Sequence, residues 1–204
     1  MPRTKLTDQQ IAEFKAELVD AATRLFVNHG YAGVTMRAIA RELTCSPMKA
    51  YRYFGDKDEV FAMVRTAAYQ SFGKSQQEAY FSASDPTERL TALGRAYYDY
   101  ATKNQLQYRL MFELLQPNPD GYPELSEASR AAMTPLRTVV SELIAQGTLK
   151  GDTDLITNAI WSGVHGVVSL HLAGKLLRQP NISELEETMM ASVFLGLKLI
   201  GDNS

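Results

Sequence analysis

Between Thr35 and Lys57 the chain gathers hydroxyl, phenol, ammonium and guanidinium donors at close spacing: Thr35, Arg37, Ser46, Lys49, Tyr51, Arg52, Tyr53 and Lys57. Met48 stands among them, and Pro47 follows Ser46 directly. These are the residue types that meet phosphate oxygens and base edges: cations for charge, hydroxyls for hydrogen bonds, an apolar tip for a thymine methyl. The same residues could instead be core side chains surrounded by solvated charge. The charge distribution leaves both readings open. Residues 35–57 hold five basic and two acidic side chains, whereas the whole chain carries a net charge of −2. Residues 1–60 are net +1 and residues 61–204 net −3, so the basic patch is local on an acidic protein.

Catalytic and metal chemistry finds no comparable set. His29, His165 and His171 fall in no metal-ligand spacing, and no phosphate-binding loop or dinucleotide fingerprint occurs. We therefore expect no enzyme activity, no metal and no cofactor. The single cysteine, Cys45, excludes an intrachain disulfide and fits a reducing cytoplasm. The polar start MPRTKLTDQQ lacks the apolar run of a signal peptide. Leu155 to Gly174 is uncharged over 20 residues, a length that could span a bilayer. Its Thr157, Asn158, two serines and two histidines would be costly in hydrocarbon, so a buried or interface helix is expected and no membrane contact.

The elements that position these residues read as helices throughout. Ile11, Phe14, Leu18 and Leu25 recur at three-to-four spacing from a Thr7 start, and Gly30 stops the run. Thr35 can cap a helix to Leu43 with Met36, Ile39 and Ala40 on its apolar side. Thr44-Cys45 is a tight connection. Ser46 caps the next helix, Pro47 fills its first turn, and Gly55 ends it. Asp56 with Glu59 opens a long connecting helix over about 56–76. Further starts are expected at Asp85, at Asn104, near Glu124 and at about Thr153. A last helix, capped by Ser183 with Glu186, runs to Ile200. PNPDGYP reads as a loop, Pro135 as a kink, and the Thr153 helix as continuing to Leu177. No alternating strand appears. The class is all-α with about nine helices: a helix-turn-helix domain over 1–60 and a helical ligand-binding and dimerisation domain over 77–204.

Two short helices joined by a minimal turn and preceded by a long one have helix-turn-helix spacing. In that geometry the second helix enters the major groove by its N-terminus and the first crosses the backbone. Ser46, Met48 and Lys49 would then reach base edges. Thr35, Arg37, Tyr51, Tyr53 and Lys57 would lie at the sugar-phosphate backbone, with Arg52 unassigned.

The segment AATRLFVNHGYAGVTMRAIARELTCSPMKAYRYFGDKDEVF resembles the N-terminal domain of the tetracycline-repressor (TetR) family. The order "A…LF…G…T…IA", then "S…YRYF", then Lys and an apolar residue, carries the likeness over about 50 residues. By position it assigns Thr35, Arg37, Ser46, Lys49, Tyr51, Tyr53 and Lys57 to DNA contact, and Ile39 and Phe54 to the core. Thr44-Cys45 departs from the usual Gly-Val type of pair and asks Thr44 for an unusual backbone conformation. Met48 is bulkier than the small residue often found at its position. WSGVHG (Trp161 to Gly166), followed by VVSLHL, and YRLMFE (Tyr108 to Glu113) are similar to the Trp-His-Gly type of C-terminal domain in the same family.

The resemblance implies a homodimer on a palindromic DNA operator, paired through helices over about 153–177 and 183–200, and a small-molecule effector. Gly163 and Gly166 would let another helix approach closely, and Leu185, Met189, Val193 and Leu197 form a broad apolar face. The alternative is that both helices fill a monomer's core. Tyr97, Tyr98, Met111 and Phe112 are candidates for an apolar effector cavity, as are Trp161 and His165; an ordinary core would have the same composition. Arg95–Asp99 and Arg109–Glu113 have the spacing to neutralise each other. A rival function is a helical dimeric small-molecule-binding protein whose DNA-binding domain is vestigial.

Overall fold

The computed structural model describes residues 7–114, 121–178 and 181–202. Among them are nine helices and no strand: α1 Asp8–Gly33, α2 Met36–Glu42, α3 Pro47–Tyr53, α4 Lys57–Phe81, α5 Pro86–Lys103, α6 Gln105–Phe112, α7 Pro123–Ala145, α8 Thr153–Leu172 and α9 Ile182–Asp202. Most of the loop expected at PNPDGYP lies outside the described residues, as do the QP of the last break and the first six residues. No described helix is long and apolar enough to cross a membrane.

The caps explain most boundaries. Thr7 and Gln10 form a capping box at the start of α1. The Thr35 hydroxyl accepts from Ala38 N at 3.1 Å, and the Ser46 hydroxyl from Lys49 N at 3.3 Å with Pro47 behind it. Asp56 caps Glu59 N at 2.8 Å, but the Glu59 carboxylate reaches back to Gly55 N rather than to Asp56 N. Gly30, at φ 68° and ψ 170°, breaks α1 before a last turn to Gly33.

Three local expectations are corrected. α8 ends at Leu172, not Leu177, because Gly174 adopts φ +64° and closes a Schellman turn, with Lys175 N donating to Leu170 O and Gly174 N to His171 O. α9 is capped by Asn181, whose Oδ1 accepts from Ser183 N at 3.0 Å, and so starts before Ser183. Asn104 occupies the N-cap of α6, yet its side chain makes no cap bond.

The α2–α3 turn is also a Schellman turn. Cys45 N donates to Ala40 O and Thr44 N to Arg41 O, which places Thr44 at φ 49°. A β-branched residue in the left-handed region is strained by about 1–2 kcal/mol. Thr44→Gly is therefore expected to stabilise the protein by about 1 kcal/mol, after the larger unfolded-state entropy of glycine is subtracted. Thermal unfolding checks this as a rise of roughly 2–4 °C in midpoint.

The chain divides into two compact units. Met1–Ser71 with Asn104–Ser129 form the first; Phe72–Lys103 with Arg130–Ser204 form the second. In the first, Leu18, Phe26, Ile39, Ala50, Phe54, Val60, Phe61 and Leu110 build one core. Helix α6 joins it because its final carbonyls find donors there. Arg65 donates to Leu110 O and Met111 O at 3.0 and 3.1 Å, and Tyr69 to Met111 O at 3.1 Å. In the second unit Leu90, Leu93, Val139, Val140, Leu143, Ile156 and Ile160 form the core, with Met190, Val193 and Phe194 packed on it. Gly163 admits α9 of the same chain: a Cβ there would lie 2.6 Å from Met189 Sδ. A Cβ on Gly166 would meet nothing within 4 Å.

Candidate nucleic-acid interface

Ala50 is fully buried and Phe54 is 2% exposed, so they fix α3 to the core. That phase turns Met48 and Tyr51 outward, at 78% and 52% exposure, with Arg52 beside them. A methionine and a tyrosine held this open on a helix are apolar surface that no other described residue covers. Arg37 is exposed in the first turn of α2, and the Thr35 hydroxyl, already an acceptor in the cap, keeps its proton to donate.

Three of the residues assigned from sequence have partners that the sequence did not reveal. Lys49 is half-buried, with Nζ 4.0 Å from the centre of the Phe14 ring. Tyr53 is half-buried and meets the same ring edge-on at 5.7 Å, so its phenyl belongs partly to the core. Lys57 Nζ donates to Tyr31 O at 3.1 Å and lies 4.0 Å over the Tyr31 ring. Periodicity marks Phe14 as core, but not as a seat for an ammonium. Tyr31, directly after Gly30, offered no signal beyond its aromatic type.

Tyr31 also donates its phenol to Asp58. Burial first, then this hydrogen bond and the Asp58 charge, push its ionisation up to about 12. The folded state thus favours neutral Tyr31 over the unfolded state, where phenol ionises near 10. That contribution is complete below pH 10 and is lost as pH rises from 10 towards 12. Stability measured across this window should fall less steeply in Tyr31→Phe.

Lys57 carries its charge at the first turn of α4. Lys57→Ala is expected to weaken binding to all DNA sequences alike and to lower the salt slope by about one per protomer, the signature of a phosphate contact. Anisotropy titrations over a range of salt check it.

The candidate effector residues divide between the two units. Met111 and Phe112 lie in the first unit, where Phe112 packs against Tyr69 and Tyr108. Tyr97, Tyr98, Trp161 and His165 lie in the second. Tyr97 and Trp161 line one small chamber there. His165 is engaged at both nitrogens, by the Tyr97 hydroxyl at 2.9 Å and the Ser169 hydroxyl at 3.3 Å. Tyr98 pairs with His171 at 3.4 Å. Of the expected ion pairs, Arg109–Glu113 forms at 2.8 Å, but Arg95–Asp99 does not. Arg95 approaches Glu187 at 3.8 Å, and Asp99 takes Lys103 at 2.8 Å, one turn towards the positive-charge-favouring end of α5.

A capped α2–α3 pair joined by a Schellman turn, with an exposed face on α3, is a helix-turn-helix, the motif of a class of DNA-binding proteins. The chain belongs to the TetR family: residues 18–64 match the profile of "Bacterial regulatory proteins, tetR family", and residues 90–193 that of "Tetracyclin repressor-like, C-terminal domain". It is similar to an HTH-type transcriptional regulator of Mycobacterium tuberculosis, 24% identical over 195 residues, covering 80% of this chain and 82% of that one. The HTH-type regulator BetI of Brucella canis is 34% identical over 79 residues, 39% of this chain and 40% of its own. Among solved structures, a protein of unknown function from Rhodococcus sp. RHA1 shares the fold with a TM-score of 0.78 at 21% identity, covering 97% of this chain and 99% of its own. The regulator FadR of Bacillus subtilis does so with a TM-score of 0.75 at 17% identity, covering 89% and 98%. The family and these curated relatives are transcriptional regulators rather than enzymes. TetR-family regulators bind DNA and small-molecule effectors, typically as dimers.

Proposed function

We propose that the chain is a repressor that binds a palindromic operator as a homodimer and is released by a small, largely apolar effector. The observation that carries the DNA reading is the leading edge of α3, where Met48 and Tyr51 stand 78% and 52% exposed beside Lys49 and Arg52. A vestigial DNA-binding domain would have no reason to keep this open apolar-basic face.

Dimerisation is supported by an outward stripe on α8 and an exposed leucine on α9. Leu155, Ala159, Ser162, Gly166 and Leu170 recur at helical spacing on α8, with the three-to-four step of one face. Leu155 and Leu170 are 70% and 48% exposed, and Leu195 on α9 is 60% exposed. Such a surface suits an isologous four-helix contact, in which Gly166 admits the partner's helix. The effector reading is supported by a mainly apolar cavity of about 270 Å³ between α5 and α9 of the second unit. FadR of Bacillus subtilis, which shares the fold, was solved in complex with stearoyl-CoA.

Helix α4 carries Lys57 at its start and Gln76 within the second unit's residues, so a ligand that shifts α4 would shift Lys57. A shift in population requires that the ligand bind one state more tightly. Titrating the selected operator with and without bound ligand tests the switch. Weaker operator binding is expected, and equal affinity would contradict release.

A further inference from the structure

The cavity between α5 and α9 continues inward. Leu90, Gly94 and Met190 line both it and a second chamber of about 30 Å³, bounded by Gln76, Tyr97 and Trp161. Gln76 is 5% exposed, and its Nε2 is sealed from solvent with no hydrogen-bond partner. Buried amides in native proteins are nearly always paired, so an orphan donor at the end of a cavity calls for an occupant. The desolvation of that N–H is offset only when an acceptor arrives. The neighbouring Tyr97 hydroxyl is already committed to His165 at 2.9 Å. At the mouth Arg95 and Glu187 lie 3.8 Å apart and cancel each other's charge, so nothing there selects an ionic head group.

We propose that Gln76 is the anchor of the effector site, donating from Nε2 to a carbonyl-type oxygen, and that the effector is a compact, neutral, mainly apolar carbonyl compound. Its body fills the α5–α9 cavity and its oxygen enters the inner chamber. This rests on the effector reading above. The volume lies at or below the small end of ordinary ligand pockets, about 300–1,000 Å³, which favours a small molecule.

The test compares propiophenone with propylbenzene, which share a shape and differ by the carbonyl. Dissociation constants are measured by ligand-observed NMR on the full-length protein, on Gln76→Leu and on the unbranched Gln76→Met. The ketone-to-hydrocarbon affinity ratio is expected to fall at least tenfold in both variants, with propylbenzene bound as well as before or better. Without ligand, both variants are expected to unfold at a higher temperature, because an unpaired buried amide has been removed; a structural glutamine would show the reverse. An unchanged ratio would overturn the anchor and leave Gln76 holding a water. Failure of either compound to bind the natural protein would also overturn it. Operator binding is scored separately. A Gln76-dependent preference that leaves operator affinity unchanged supports the anchor and contradicts the switch.

Discussion

Lys49→Ala is expected to weaken operator binding about tenfold per half-site, so about a hundredfold for a homodimer on a palindrome. The ammonium stands in the first turn of α3, the part of a recognition helix that reaches base edges, and guanine O6 and N7 are its natural acceptors. In the free protein Nζ rests 4.0 Å over the Phe14 ring, so reading a base means leaving that seat. The exchange costs about 0.5–1 kcal/mol. It is already contained in the natural affinity, which places the loss near the lower end of the 1–3 kcal/mol usual for a base contact. The variant should also lose discrimination at one base pair per half-site. Titrations at fixed salt on the selected site and its single-base variants check both effects. Equal losses on every sequence would instead make Lys49 a phosphate contact.

Phe54→Ala is expected to destabilise the protein by about 3–5 kcal/mol. Phe54 is 2% exposed, packs on Phe14 at 5.9 Å between ring centres, and its backbone N–H ends α3 on Ala50 O. A loss of that size is a large share of the roughly 5–15 kcal/mol that holds a typical domain. DNA binding should vanish because α3 is no longer held on the core. Tyr51→Ala, three residues earlier and 52% exposed, is the contrast: stability within about 0.5 kcal/mol of the natural protein and weaker DNA binding. Chemical denaturation separates the two, and a Phe54→Ala cost under about 1 kcal/mol would contradict the packing.

Most helix starts were legible because caps are local, the α6 and α9 caps being the exceptions. Thr7, Thr35, Ser46 with Pro47, and Asp85 each announce a start within three or four residues, and the structure uses each of them. Ends were less legible. Whether α8 stops at Gly174 or runs on depends on a backbone conformation that glycine permits but does not require. Partners distant in sequence were not legible at all. Nothing near Gln105–Phe112 shows that Arg65 and Tyr69 will receive its last carbonyls, yet those bonds draw α6 into the first unit.

The candidate interface divides in the same way. Resemblance and helical phase picked out Met48 and Tyr51, whose exposure the structure displays. Phase alone did not foresee that Phe14 and Tyr31 would seat Lys49 and Lys57, because an ammonium over a ring leaves no periodic trace. Gln76 escaped notice since one polar residue in a long helix normally faces water, and only burial makes it chemically unusual.

Sequence-specific reading of DNA by α3 is the property on which the proposed function stands. The most direct measurement is selection of bound fragments from a random double-stranded DNA library by the full-length protein, repeated with Lys49→Ala. The natural protein is expected to enrich a palindromic sequence, with one position per half-site relaxed in the variant. Recovery of no common sequence, or of the same sequence with the same stringency from both proteins, would contradict it.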